Sequence, residues 1–149
     1  MTRPSKRPPL SGMTLLFLLL ALDCAPRPPA ATDRGPNSPQ ALPGTSWRLV
    51  SLGGEAVLEK PEATLEFPEA GKASGRASCN RFFGTVEVSG ESIRFGPLAA
   101  TKMSCGDAAD TQERKYLDAL QSAERFDFDG TALRIDSRGV EAPLRFLPR

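Results

Sequence analysis

Histidine is absent from this chain of 149 residues. Without an imidazole there is no Ser-His or Cys-His nucleophilic pair, no imidazole general base, and little scope for a zinc or haem site. Aromatic residues are scarce at 7%, and the formal net charge is only +1. The composition therefore suggests neither the basic groove of a nucleic-acid binder nor a polyanion-binding face. Cysteine occurs three times, at Cys24, Cys79 and Cys105, and never as CxxC. The one long apolar run is too short to cross a bilayer as a helix. These absences leave no cofactor, no metal and no catalytic residue to assign.

What is present begins with a leader. Arg3, Lys6 and Arg7 precede the run Met13–Leu22, which ends at Asp23-Cys24. A basic region followed by a short apolar core has the form of a secretory signal, so residues 1–23 are expected to direct export. Their loss would remove three bases and one acid from the formal +1, leaving the rest of the chain near −1. Leu20-Ala21-Leu22-Asp23-Cys24 resembles a bacterial lipobox, with Asp23 where a small residue is usual. Acylation at Cys24 is expected, since a cysteine here otherwise has no pairing role. The alternative is cleavage near Ala30-Ala31, which would discard Cys24 and leave a soluble periplasmic or secreted protein.

Residues 24–44 carry six prolines and no apolar periodicity, as expected of an extended tether. At ~3.1 Å per residue it reaches on the order of 60 Å from a membrane surface. The folded part is expected over 45–149. Ser46–Leu52 alternates, with Trp47, Leu49 and Ser51 on one face. Thr64–Phe67 alternates again, and Lys72–Asn80 puts the small residues Ala73, Gly75, Ala77 and Cys79 together. Small inward residues allow the close backbone approach that a small barrel needs. A turn is expected through Arg81-Phe82-Phe83-Gly84, then a hairpin of Thr85–Val88 and Ser92–Phe95 around Ser89-Gly90-Glu91.

Asp110 and Glu113 have capping-box spacing. Tyr116, Leu117, Leu120 and Ala123 follow at helical period, which predicts one amphipathic helix of about three to four turns. Further strands are expected around Phe126, Phe128, Leu133, Ile135, Leu144 and Phe146. The fold class is thus α+β, mainly β: about eight short strands in a small antiparallel barrel or strongly coiled sheet, with one helix packed against it. Phe67, Phe95, Phe126 and Phe128 are expected to fill its interior.

The residues in order resemble the META domain family, the HslJ-like envelope lipoproteins. The resemblance rests on Trp47-Arg48-Leu49, on Cys79-Asn80 with Phe82 and Gly84, and on Phe95-Gly96-Pro97-Leu98. It continues through Thr101-Lys102-Met103-Ser104-Cys105 and the helical set Glu113, Tyr116, Leu117 and Leu120. It covers about residues 45–147. Ser78 stands where the family usually has glycine, and Val86 where an aromatic is usual. The resemblance implies a periplasm-facing outer-membrane lipoprotein linked to heat shock and envelope stress, without an established catalytic activity.

In an exported protein Cys79 and Cys105 are expected to form a disulfide. A loop of about 27 residues would stabilise by roughly 3–4 kcal/mol in the chain-entropy model. A redox or metal-binding thiol pair is the alternative. Asn80 is expected to bond local backbone groups as turn asparagines do, with a ligand contact as the alternative. Arg81 and Lys102, beside the two cysteines, would form a small anion-attracting patch or remain solvated charges. Phe82-Phe83 is a possible partner-binding wedge, one ring of which belongs in the core. Together these features suggest a monomeric, non-enzymatic, membrane-anchored binding module. Its partner would be a protein or a small apolar ligand, and not nucleic acid. An envelope redox or hydrolytic enzyme, or a purely structural envelope protein, is the alternative.

Overall fold

The computed structural model describes residues 41–149. The leader of residues 1–23, Cys24 and the tether up to residue 40 lie outside the described residues. Ten strands and one helix follow in order. They are β1 (Thr45–Leu52), β2 (Glu55–Ala56), β3 (Thr64–Phe67), β4 (Lys72–Arg76), β5 (Arg81–Ser89), β6 (Ser92–Phe95) and β7 (Ala99–Ala100), then α1 (Asp107–Gln121), β8 (Ala123–Asp129), β9 (Ala132–Ser137) and β10 (Leu144–Pro148).

Eight of the strands close on themselves. The pairing runs β10-β9-β8-β6-β5-β4-β3-β1, and β1 pairs back onto β10. Closure removes the unpaired edges that an open sheet of this size would present. The short strands β2 and β7 lie outside the ring, on β1 and β5. The fold is mainly β, a closed antiparallel barrel with one helix.

The interior is filled with side chains. Phe67, Phe82, Phe126 and Phe146 are fully buried among Leu49, Leu65, Ile93, Leu133 and Ile135, and burying each such ring stabilises by about 1.5–3 kcal/mol. Phe95 is also buried, whereas Phe128 is only half-buried and packs on Trp47 at 5.7 Å between ring centroids. Helix α1 contributes Tyr116, Ala119 and Leu120 to the same core. The Tyr116 ring meets Phe82 edge-on at 6.0 Å, and its hydroxyl donates to the Thr64 carbonyl at 3.1 Å.

Several local expectations are corrected. The turn expected at Arg81-Phe82-Phe83-Gly84 is strand: β4 stops at Arg76, the chain reverses over Ala77–Asn80, and β5 begins at Arg81. Gly84 sits inside β5 because Leu98 covers it; a Cβ there would stand 2.7 Å from the Leu98 Cδ2 atom. On β1 the pairing with β10 slips between Leu49 and Ser51, and this bulge turns Leu52 inward in place of Ser51. Ala123 belongs to β8 and not to the helix. Leu42, in the segment expected as tether, is 1% exposed and joins the core. It is held there by the Thr45 amide and hydroxyl, which both donate to its carbonyl.

Gly75 supports the expectation of close backbone approach. It pairs with Phe82, and a Cβ on it would collide with the Thr64 carbonyl and crowd the Phe82 ring. The small side of β4 is therefore what lets a large aromatic ring and the β3 backbone share one layer.

Candidate functional site

The residues between β4 and α1 form a hydrogen-bonded knot around Asn80. Its side chain is 2% exposed. The Nδ2 group donates to the Met103 carbonyl at 2.9 Å and to Glu113 Oε1 at 2.7 Å. The Oδ1 atom accepts from the Thr101 hydroxyl at 2.7 Å and the Met103 amide at 2.8 Å. The Asn80 amide donates to Glu113 Oε2 at 2.8 Å, and its carbonyl accepts from the Ala77 amide at 2.8 Å. Every donor and acceptor of the residue is thus used. The partners are distant in sequence, where local turn bonds had been expected, and they leave no capacity for a ligand.

Glu113 and Asp110 do not form the expected capping box. The helix starts earlier, after Gly106 with φ of 97°, and has no side-chain cap there. Glu113 reaches across to Asn80, whereas Asp110 accepts from the Cys105 amide at 3.0 Å and the Ser104 hydroxyl at 2.6 Å. These two bonds, with Arg114 a lesser influence, hold the Asp110 carboxyl below its ordinary value of 3.8. Asp110 and Glu113 therefore fasten the Thr101–Cys105 segment and the Ala77–Asn80 turn to the helix.

A second bridge lies beside the first. Ser78 has φ of 110°, the one non-glycine residue with positive φ among the described residues. Its buried hydroxyl accepts from Gln112 Nε2 at 2.7 Å, and Gln112 Oε1 accepts from the Leu58 amide at 2.7 Å. A glycine would fit this backbone without strain; serine adds a hydrogen bond instead. Cys79 and Cys105 are joined as a disulfide, with Cα atoms 5.7 Å apart, Cys79 buried and Cys105 exposed. No group of three or more Cys, Asp or Glu side chains suited to a metal ion occurs among the described residues.

Of the two residues of the expected surface patch, Arg81 lines a cleft and Lys102 does not. Arg81 is tied to Thr101, its amide donating to the hydroxyl at 3.2 Å and its carbonyl accepting the Thr101 amide at 3.0 Å. Lys102 is exposed but takes no part in the cleft that Arg81 lines. The second cation there is Arg76, directly opposite Arg81 on β4. The cleft is a half-open groove of about 540 Å³ on the outer face of β3, β4 and β5. Phe83 stands in it at 64% exposure, while Phe82, pointing the other way, is core. Among the described residues, Met103 is the other strongly exposed large apolar residue, at 61%. On the β3 side of the groove, Arg149 pairs with Glu62 at 3.3 Å and Glu66 at 3.6 Å.

Comparison with protein-family models matches the META domain over residues 40–148. The chain belongs to the META domain family. Two solved structures share the fold. One, an NMR structure of a protein from Burkholderia xenovorans, is 25% identical with a TM-score of 0.64, over 80% of this chain and 93% of that one. Another NMR structure is 24% identical with a TM-score of 0.61, over 74% of this chain and 93% of that one. Comparison with curated proteins gave no match.

Within this META domain, the family positions Asn80, Thr101, Met103, Glu113 and the two cysteines converge on one knot, whereas Phe82 and Gly84 serve the barrel wall. Sequence reasoning missed Arg76, Arg149, Glu62 and Glu66 as groove residues, and Gln112 as the partner of Ser78. Placing the turn at Ala77–Asn80 would have put Arg76 opposite Arg81. Nothing in the local pattern marks Arg149, which reaches the groove only because β10 closes the barrel.

Proposed function

We propose that this META domain is a non-enzymatic module, anchored to the membrane through Cys24, that binds a protein partner on its outer face. The observation that carries the reading is the contrast between a filled interior and the open groove where Phe83 is 64% exposed. A small apolar ligand needs an enclosed apolar cavity, whereas an exposed ring among charged groups suits a protein surface. The absence of histidine and the saturation of Asn80 speak against catalysis at the family positions. Asp127 and Asp129, another pair of carboxylates, are matched with Arg134 and Arg145.

The test is native mass spectrometry of the full chain extracted from membranes in mild detergent. The expected species starts at Cys24, carries acyl groups there, and has no other small molecule bound. A constant added mass that survives delipidation would mean a ligand inside the barrel and would contradict the reading. A species without acyl groups would remove the anchor.

A further inference from the structure

Arg76 and Arg81 are direct partners in the β4–β5 register, and both are exposed. Among the described residues, neither guanidinium has a carboxylate partner. Like charges placed opposite each other on antiparallel strands repel, so this pair opposes folding in the isolated protein. Phe83 lies two residues along β5 on the same outward face as Arg81, about 6.7 Å away at the rise of an extended strand. Two unpaired guanidiniums and an exposed ring thus sit together on the β4–β5 side of one groove, with Glu62, Glu66 and Arg149 on its β3 side.

We infer that the groove binds an extended acidic peptide segment of a partner protein. A Glu or Asp carboxylate of that segment lies against Arg76 and Arg81. An apolar side chain two positions away covers Phe83, because residues i and i+2 of an extended chain share a face. Guanidinium groups match carboxylates through paired hydrogen bonds. The mixed charge of the groove selects a peptide over a polyanion. A nucleic acid or an anionic membrane surface would bring further negative charge against Glu62 and Glu66, whereas a peptide can place a neutral or basic residue there. This inference rests on the protein-partner reading above and gives that partner its chemistry.

The experiment is fluorescence anisotropy with the full chain and a dye-labelled nine-residue peptide carrying Glu-Val-Phe at its centre between Gly and Ser residues. The expected result is saturable binding that high salt weakens, and that drops by at least about tenfold when the peptide's Glu becomes Gln. Arg81→Glu and the milder Arg81→Gln, each with an unchanged far-UV spectrum, lose the Glu peptide. Arg81→Glu then prefers the same peptide with Lys in place of Glu. Equal binding of the Glu and Gln peptides, or binding unaffected by either variant, overturns the inference. Failure of the peptide alongside Arg81-dependent binding to phosphatidylglycerol vesicles also overturns it, by assigning the arginines to a membrane surface. If the peptide fails while a crosslinker at position 83 still captures a protein, the acidic chemistry falls and the partner reading stands. If both fail, the reading itself falls.

Discussion

Asn80 and Glu113, separated by 33 residues, are joined by two hydrogen bonds: amide to Oε2 at 2.8 Å and Nδ2 to Oε1 at 2.7 Å. The turn between β4 and β5 is thereby pinned to the second turn of the helix. Asn80→Ala removes the side-chain half of this link, and with it the bonds to the Thr101 hydroxyl and to the Met103 amide and carbonyl. The expected loss is about 2–4 kcal/mol, since a bond to a charged group and three neutral bonds are lost together. Asn80→Asp should be at least as damaging at neutral pH, because it sets a second carboxylate against Glu113. Urea denaturation at pH 7 checks this; an Asn80→Asp protein as stable as wild type would contradict it.

Ser78 combines an unfavourable backbone with a favourable side chain. Ser78→Ala keeps positive φ and leaves Gln112 without its acceptor, so a loss of about 1–3 kcal/mol is expected. Ser78→Gly relieves backbone strain of about 1–2 kcal/mol while losing the same bond. The glycine variant should therefore lie within about 1 kcal/mol of wild type and above the alanine variant. Equal effects of the two substitutions would show that the positive φ carries no strain.

Tyr116 is the single tyrosine of the chain and is completely buried. Desolvation raises its hydroxyl well above the ordinary value of 10.0. The folded state therefore holds the proton where the unfolded state would release it. Its contribution is fully present below pH 10 and is lost as the pH rises from there towards the folded value. Tyrosinate absorbance should appear together with loss of β-sheet signal in an alkaline titration. Tyr116→Phe should flatten the fall in stability above pH 10. Ionisation well before unfolding would mean that the hydroxyl is open to water.

Arg81→Glu should make the unliganded protein slightly more stable while it abolishes peptide binding. Replacing a like-charge cross-strand pair with an opposite one is worth about 0.2–1 kcal/mol, less when screened by salt. The reverse substitution Arg76→Glu should behave alike, and the double variant should lose the gain. Thermal unfolding at low and high salt reads this out. A destabilised Arg81→Glu would show that the arginine has an intramolecular role.

The alternation of Thr64–Phe67 and the helical spacing of Tyr116 and Leu120 make the barrel and its helix legible in the sequence. Both patterns come from burial of one face, which tolerates little ambiguity. Features set by long-range partners were not legible. Asp110 and Glu113 have the right spacing for a capping box, but the Cys105 amide and Asn80 compete for their carboxylates and win. Gly84 reads as turn punctuation, although its smallness serves Leu98 across the sheet. The bulge that turns Leu52 inward depends on the β10 register, and Leu42 is apolar but hidden among prolines. The groove depends on register and barrel closure together, so only Arg81 and Phe83 of its residues stood out.

The most direct measurement replaces Phe83 with the photo-crosslinking amino acid benzoylphenylalanine in the full chain, in living cells. The same residue at Thr131, exposed in the β8–β9 turn and not part of the groove lining, serves as control. A discrete protein adduct at position 83, absent at 131 and lost when Arg81→Glu is added, is the predicted result. Equal capture at both positions, or no adduct at position 83 while the protein is abundant and folded, would contradict the claim that this face binds a partner.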